Sequence, residues 1–594
     1  MAVRRSVRRG PKPTPLRNTR LRIHPGIGIA RVGNDPTSFF LGPEIPGQGP
    51  VGADAGVGTP VTSGAFSGFK TAADKIKRQG QRFRIFLHFP DQLPVEVNLL
   101  DSRVKKIDWS VHLANKKAAF FEFQGQAGNS AATVYSPATR KRNSGRPAFG
   151  THLAVPAEPR SRLVIDPGKP QTISGVSQGP KNIDFRLGGN FPIHKLDGSV
   201  VIPSLGQLFT DSAGRLVVLG GRGRSKPFRK DVDDASKNPP IVDYANNDGW
   251  LDDVSDGFVK ATVTMSDGST FTAESAWILV GPPDFAPDIG QVVSLYDTLW
   301  DVAARNPSIT IPDLQMFKQE PLKRLVTFRT SPASYRPEYF ADIEPFLTNA
   351  ANVRFVFPGV GHGDVVSALA SKRDNTGSIF AILRPPGGNK KFDFSSGPPF
   401  PVRNMPLLYG DDYLVTTSDH QALSVTESQF LNIERWKNGA VDVLTPASGI
   451  SPENLDRAAL QSCSGGAFFP GMESGWMIRN PNIWAEPFRL KPIGTVLNPA
   501  MTPPLKIEPG LFSQQMALPW QADFFDCKQG PAPDGGGTLY GWWPSQRPSV
   551  VTKAGASVEW DRGVAGRLGL IDKWRTRGFV VKSGGGNFSE QGGP

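Results

Sequence analysis

Cysteine is nearly absent: Cys463 and Cys527 are the only two in 594 residues. Two thiols cannot build the disulfide framework of a small secreted scaffold, so a reduced, intracellular chain is the expectation. Long apolar runs are missing as well. No stretch reaches the about 18 apolar residues that a membrane-spanning helix needs. The histidines, His24, His88, His112, His152, His194, His362 and His420, are scattered. None forms HxH or HExxH, and no CxxC pair occurs, so no metal site is read. "GIGIARVGN" (26–34) and "LGGRGRS" (219–225) are glycine-rich but lack dinucleotide and Walker spacing. "ANNDGWLDDVSDG" (245–257) is acidic but lacks the EF-hand spacing, and side-chain-bonded turns are expected there in place of a calcium site.

The net charge of +13 is unevenly spread. Residues 1–22 carry eight Arg or Lys and no acid, so the remainder is only about +5. That distribution argues against a nucleic-acid surface. Three prolines in this stretch oppose a helix, and a disordered basic tail over 1–22 is expected. No apolar segment follows its arginines, so no secretory signal is read and a cytoplasmic location is expected.

Sixty-four Gly and 55 Pro point to strands, turns and ordered loops. Alternating runs predict strands at 82–89, 118–123, 215–221, 260–267 and 270–281, with "SDGST" (266–270) as a hairpin turn. Helical spacing predicts helices over 294–306, 418–439 and 451–463. The last has Ser451 as N-cap and Pro452 at the first helical position. In "SDH" (418–420) adjacency is no sign of a catalytic triad, and the N-cap of the following helix is the expected role. The fold class expected is α+β, mainly β. A β-rich region over 23–290 precedes a mixed region over 291–581, and "KSGGGNFSEQGGP" (582–594) is expected to be a flexible tail. The Pro-rich stretch 281–290 fits a tight crossing as well as a linker.

The rare thiol in "LQSCSGGAFFPG" (460–471) raises the question of chemistry. At a helix C-terminus the dipole opposes a thiolate, and no Lys, Arg or His lies within five residues of Cys463. From composition alone it reads as a buried structural thiol. A cysteine can also be used covalently without remaining a free thiolate.

Longer motifs carry a resemblance. "IHPGIGIARVGNDPTSFFLGPE" (23–44), "WSVHLANKKAAFFEF" (109–123), "LGQLFTDSAGRLVVLGGRGRS" (205–225), "ILVGPPDFAP" (278–287), "CSGGAFFPGME" (463–473), "LPWQADFFDC" (518–527) and "WWPSQRP" (542–548) resemble the lysine ε-oxidase and glycine oxidase quinoproteins. The resemblance implies cysteine tryptophylquinone, a cofactor made from the protein by joining an oxidised Trp indole to a Cys thioether. By position Cys463 matches the thiol and Trp520 the indole. It also implies an oxidase for a primary amine of an amino acid: the amine adds to the quinone, a carboxylate removes a proton, and a carbonyl product is released. Dioxygen then restores the quinone, giving hydrogen peroxide and ammonia. A flavoprotein for maturation and a homo-oligomer are implied too.

The carboxylate lies a little upstream of the cysteine in the family. Here the nearest upstream acid is Asp456, two helical turns before Cys463 and about 20° from it around the helix. The position four residues before Cys463 is Ala459, where an acid is expected. Asp523 and Asp526 are alternative bases, Cys527 is the weaker thiol, and Trp476, Trp484, Trp542 and Trp543 are rival indoles. A family member that folds without maturing, and acts as a binding or structural protein, is the alternative function.

Overall fold

Residues 276–281 read AWILVG without a polar side chain, the mark of a strand covered on both faces. In the computed structural model they form such a strand. Trp277 and Leu279 enter one apolar cluster, while Ile278 and Val280 enter another. The structure describes residues 19–54, 62–89, 92–123, 140–144, 163–184, 202–228, 234, 236–311, 320–357, 377–386, 405–406, 408–410, 422–446, 448–465, 472, 474–501, 504–528, 530–531, 540–541 and 546–594.

The molecule is mainly β, with a large sheet in the N-terminal half and helices and short strands in the C-terminal half. The sheet has 15 strands, and its main path runs 181–182, 207–210, 216–219, 78–88, 27–31, 276–281, 255–265, 104–114 and 171–174. It nearly closes on itself. The chain leaving Gln171–Ser174 bonds to the end of Gln207–Thr210, through Ser177 N–H to the Asp211 carbonyl and Thr210 N–H to the Gln178 carbonyl, both 2.9 Å. One cluster, with Phe83, Trp109, Val111, Val218 and Val280, belongs to one face of this curved sheet. The other face contributes Ile27, Ile29, Phe258, Trp277 and Leu279 to the cluster shared with the C-terminal half.

The predicted strands at 82–89, 215–221, 260–267 and 270–281 lie in the sheet, as Arg78–His88, Leu216–Leu219, Ser255–Met265, Thr270–Thr272 and Ala276–Gly281. "SDGST" joins two of them with Gly268 at φ +89°. The 118–123 run is not a strand. Lys117–Ala119 is a short 3₁₀ turn, and Phe121 pairs only in an isolated bridge with Lys141, while Phe121 and Phe123 are buried in the core. Helix Leu295–Arg305 starts at a reciprocal Ser294–Asp297 cap, and Pro452–Gln461 starts at Ser451. The helix predicted from 418 begins only at Glu427, after a Thr426–Gln429 cap, and is followed by Gly439 at φ +71°. Residues 418–420 lie outside the described residues.

Both expected tails need correction. Arg20–His24 is a strand, paired with Arg78–His88. Arg20 and Arg22 each bind Glu274 and Glu486, at 2.5 Å for Arg20 Nε to Glu274. Acids more than 250 residues away neutralise what looks like tail charge, so only 1–18 remain outside the described residues. At the other end, Phe579–Gly584 and Asn587–Gln591 form a hairpin. Its turn uses Gly584, Gly585 and Gly586, all at positive φ. Phe588 is buried, and Val580 N–H bonds to the Phe285 carbonyl at 2.7 Å. The "GGG" is a turn, not a linker. The 281–290 stretch is a buried crossing, with Phe285 fully enclosed.

Candidate functional site

Cys463 follows the Pro452–Gln461 helix and is clamped from two sides. On one side its carbonyl accepts from Leu295 N–H at 2.8 Å, and Gly465 N–H donates to the Val293 carbonyl at 3.0 Å. A Cβ on Gly465 would lie 1.9 Å from the Ser294 carbonyl oxygen, so only glycine permits this approach. On the other side Arg31, from the sheet, donates Nη2 to the Ser462 carbonyl at 2.7 Å and Nη1 to the Pro282 carbonyl at 2.9 Å. Its Nη2 lies 3.8 Å from Asp284 Oδ2.

The Cys463 thiol is buried and free. Burial pushes its pKa up to about 11, with Arg31 opposing the rise and Asp284 adding to it. Burial also raises the Asp284 pKa, against Arg31 and the Ala286 amide. The cation absent from the local sequence is therefore supplied by Arg31, 432 positions earlier. No local signal could have found it.

Trp520 opens the helix Trp520–Asp526 and is fully buried, edge-on to Phe524 and Trp574 at 5.1 and 5.4 Å between ring centroids. The acidic run 245–257 holds this helix start. Asp252 Oδ2 accepts from Trp520 N–H at 3.2 Å and from Lys117 Nζ at 2.8 Å, and the Lys117–Asp252 pair is completely enclosed. Lys117 Nζ also donates to the Ala517 carbonyl, and Asn247 Nδ2 to the Leu518 carbonyl. The stretch expected to form side-chain-bonded turns thus also anchors the Trp520 segment. Among the described residues no group of three His, Cys, Asp or Glu side chains could hold a metal ion.

One polar atom separates Trp520 from other buried indoles. The Nε1–H groups of Trp109, Trp250, Trp277, Trp484 and Trp560 each donate to an oxygen. That of Trp520 is buried without a partner, an expensive arrangement for an unmodified core. Cys463 and Trp520 belong to the same apolar cluster, and the 281–286 crossing serves both. Asp284 acts on the thiol, while Phe285 packs on Phe524 at 6.1 Å. A buried free thiol and a buried indole with an orphaned N–H fit the thioether-linked quinone implied above.

The rival residues are engaged elsewhere. Cys527 Sγ–H donates to Asp523 at 2.7 Å, and Asp526 pairs with Arg567. Trp484 Nε1–H is bonded to the Ile478 carbonyl. The Trp476 side chain, Trp542 and Trp543 lie outside the described residues. Asp456 has both carboxylate oxygens 3.1 Å from His24 Nδ1, and Oδ1 accepts from Gly26 N–H at 2.6 Å. Burial raises its pKa, but His24, Arg489 and the Gly26 amide outweigh that and hold it below the usual carboxylate value. A base working near neutrality needs the opposite shift, so this geometry sets Asp456 apart as a carboxylate that ties the sheet to the helix. Ala459 is buried and brings no acid. Asp284 and Asp253, which sequence reading passed over, are buried carboxylates with raised pKa. For Asp253 the value is about 7, and one of its oxygens is without a partner.

The site thus lies where a near-closed sheet is backed by a C-terminal half that buries a thiol and an indole, a mainly β architecture with a mixed second half. Comparison with known proteins specifies it. The family model L-lysine ε-oxidase N-terminal matches residues 24–280, and the L-lysine ε-oxidase C-terminal domain matches 407–550. The chain is 30% identical over 555 residues to L-lysine 6-oxidase of Marinomonas mediterranea, spanning 85% of this chain and 71% of that protein. It is similar to the structure of the ε-lysine oxidase from Marinomonas mediterranea, with a TM-score of 0.77 and 25% identity over 96% and 95% of the two chains. The crystal structure of the Schiff base intermediate of that organism's L-Lys ε-oxidase with L-Lys is similar at a TM-score of 0.75 and 25% identity, over the same shares of the two chains. The chain belongs to the L-lysine ε-oxidase family.

Proposed function

We propose that this protein is an amino-acid oxidase that deaminates a primary amine of an amino acid and releases a carbonyl product, ammonia and hydrogen peroxide. Its cofactor in this reading is cysteine tryptophylquinone, formed from Cys463 and Trp520. The observation that carries it is the presence, in one buried cluster, of a free thiol and of an enclosed indole whose N–H has no hydrogen-bond partner among the described residues. The quinone supplies an electrophilic carbonyl and a two-electron sink that no unmodified side chain offers. The chain's own residues supply the surroundings. Lys117 and Asp252 fix the start of the Trp520 helix, Gly465 lets the Cys463 loop close on Ser294, and the surrounding aromatics exclude water. Dioxygen is the acceptor, and a flavoprotein that matures the cofactor and a homo-oligomeric state are part of the same reading.

A peroxide-coupled screen over amino acids, with the full chain co-expressed with its maturation flavoprotein, tests this. Oxidation of a primary amine is expected, and Cys463→Ala is expected to abolish it. Activity that survives that substitution rules the cofactor out as its source. A second reading, a member that never matures and serves as a binding or structural protein, is favoured by Ala459 and by the engagement of Asp456. Visible absorbance and a redox-cycling stain on a denaturing gel separate the two, since unmodified protein gives neither.

A further inference from the structure

Bonding a cysteine sulfur to an indole carbon requires that the thiol lose its proton, and burial alone works against that. The Cys463 loop contains no base, and Ala459 stands where an acid is expected. Arg31, from the sheet, reaches this loop, and Asp284 stands behind it. Arg31 is buried, with Nη2 on the Ser462 carbonyl, Nη1 on the Pro282 carbonyl and Nε buried without a partner. Asp284 is fixed by the Ala286 amide at 2.9 Å and lies 3.8 Å from Arg31. Asp284 and Ser462 also line a cavity of about 710 Å³, together with Gln461 and Arg457. A proton taken up by Asp284 thus has a route to water that the enclosed thiol lacks.

We infer that Arg31 and Asp284 together ready Cys463 for its bond to Trp520, Asp284 as the acceptor of the thiol proton and Arg31 as the cation that stabilises the thiolate. This rests on the cross-link proposed above. The S–H proton passes through a bridging water to the Asp284 carboxylate, and the sulfur electron pair forms the C–S bond to an indole ring carbon. That carbon loses its hydrogen as a proton. The two electrons released go to dioxygen through the maturation flavoprotein, so thiol, indole and dioxygen become thioether and hydrogen peroxide. The charge pair replaces the carboxylate that Ala459 does not provide. The same environment accounts for the opposed influences of Arg31 and Asp284 on the thiol.

The test is the fraction of chains carrying the thioether, read by denatured intact mass and peptide mapping. The full chain is co-expressed with the maturation flavoprotein, and only soluble, cooperatively melting protein is scored. Each unit of thiol pKa changes thiolate by about tenfold, so Arg31→Met is expected to lower the linked fraction, at matched maturation time, about tenfold. The isosteric Asp284→Asn removes the proton acceptor and is expected to lower it by a similar factor, even though losing that negative charge by itself favours the thiolate. Arg31→Lys keeps the charge but not the fork that holds both carbonyls, and is expected to link within about threefold of the parent chain. An anchoring role alone predicts that Lys fails as badly as Met, and that result overturns the inference. So does an Asp284→Asn chain that links like the parent, and this variant decides the matter if Arg31→Met does not fold. An unlinked parent chain would instead sink the proposed cofactor itself.

Discussion

The sheet half and the C-terminal half satisfy their backbone groups by different means. In the sheet, 11-residue strands such as Arg78–His88, Val104–Ala114 and Ser255–Met265 bond along continuous ladders. In the C-terminal half the strand pairs are short, as in Arg489–Leu490 or Leu505–Lys506, and many carbonyls are bound by side chains from far away. Arg31 takes Ser462, Lys117 takes Ala517, and Asn247 takes Leu518. These donors all come from the sheet half, and they cluster on the segments that carry Cys463 and Trp520. The second half is therefore completed by the first.

Removing one donor should break this dependence most sharply. Lys117→Met removes the cation from the enclosed pair with Asp252, a change that typically costs about 3–5 kcal/mol. Denaturant unfolding of the full chain measures it, and a loss under about 1 kcal/mol would mean that the Trp520 segment holds itself.

The junction at His24 should respond to acid. His24 is neutral near pH 7, since burial lowers its pKa to about 4, with Asp456 opposing and Arg489 and Arg22 assisting. Its Nδ1–H therefore donates to Asp456 in a hydrogen bond, while Nε2 accepts from Arg489 at 3.2 Å. Because the folded pKa lies below the unfolded value of 6.5, the unfolded chain binds the extra proton between those limits. Stability is then full above about pH 6.5 and falls by roughly 3 kcal/mol as pH drops towards 4. His88, shifted in the same direction by burial and by His24, adds to this limb. In pH-dependent unfolding His24→Asn should flatten the limb but leave the part due to His88. An unchanged slope would show that His24 is not the group responsible.

The mildest change sharpens where the sheet half begins. Arg20→Ala removes a partly exposed guanidinium from Glu274 and Glu486 and should cost about 1 kcal/mol. Deleting residues 1–18 should alter the melting temperature by less than about 2 °C. If the two changes are indistinguishable in thermal melts, the Arg20 ion pairs contribute nothing to the fold.

The features legible in the sequence share a short range. Ser451 caps its helix through a residue three positions on, and alternation over 82–89, 215–221 and 260–267 marked strands of the sheet. Cys463 and Trp520 stood out through local motifs. Expectations failed where a residue's surroundings came from elsewhere. "GGG" near the end closes a hairpin because Phe588 has a core to enter. The basic residues at 20 and 22 meet Glu274 and Glu486.

Alternation, capping and turn chemistry act over a few residues, so the sequence by itself determined the mainly β character, the helix starts near 294 and 451 and the two segments bearing the candidate cofactor residues. Desolvation and charge act through space. Only the tertiary structure could commit Asp456 to His24, bring Arg31 and Asp284 to Cys463, and leave the Trp520 N–H without a partner. The field at a buried group is set by whichever side chains the fold encloses with it, however distant they are along the chain.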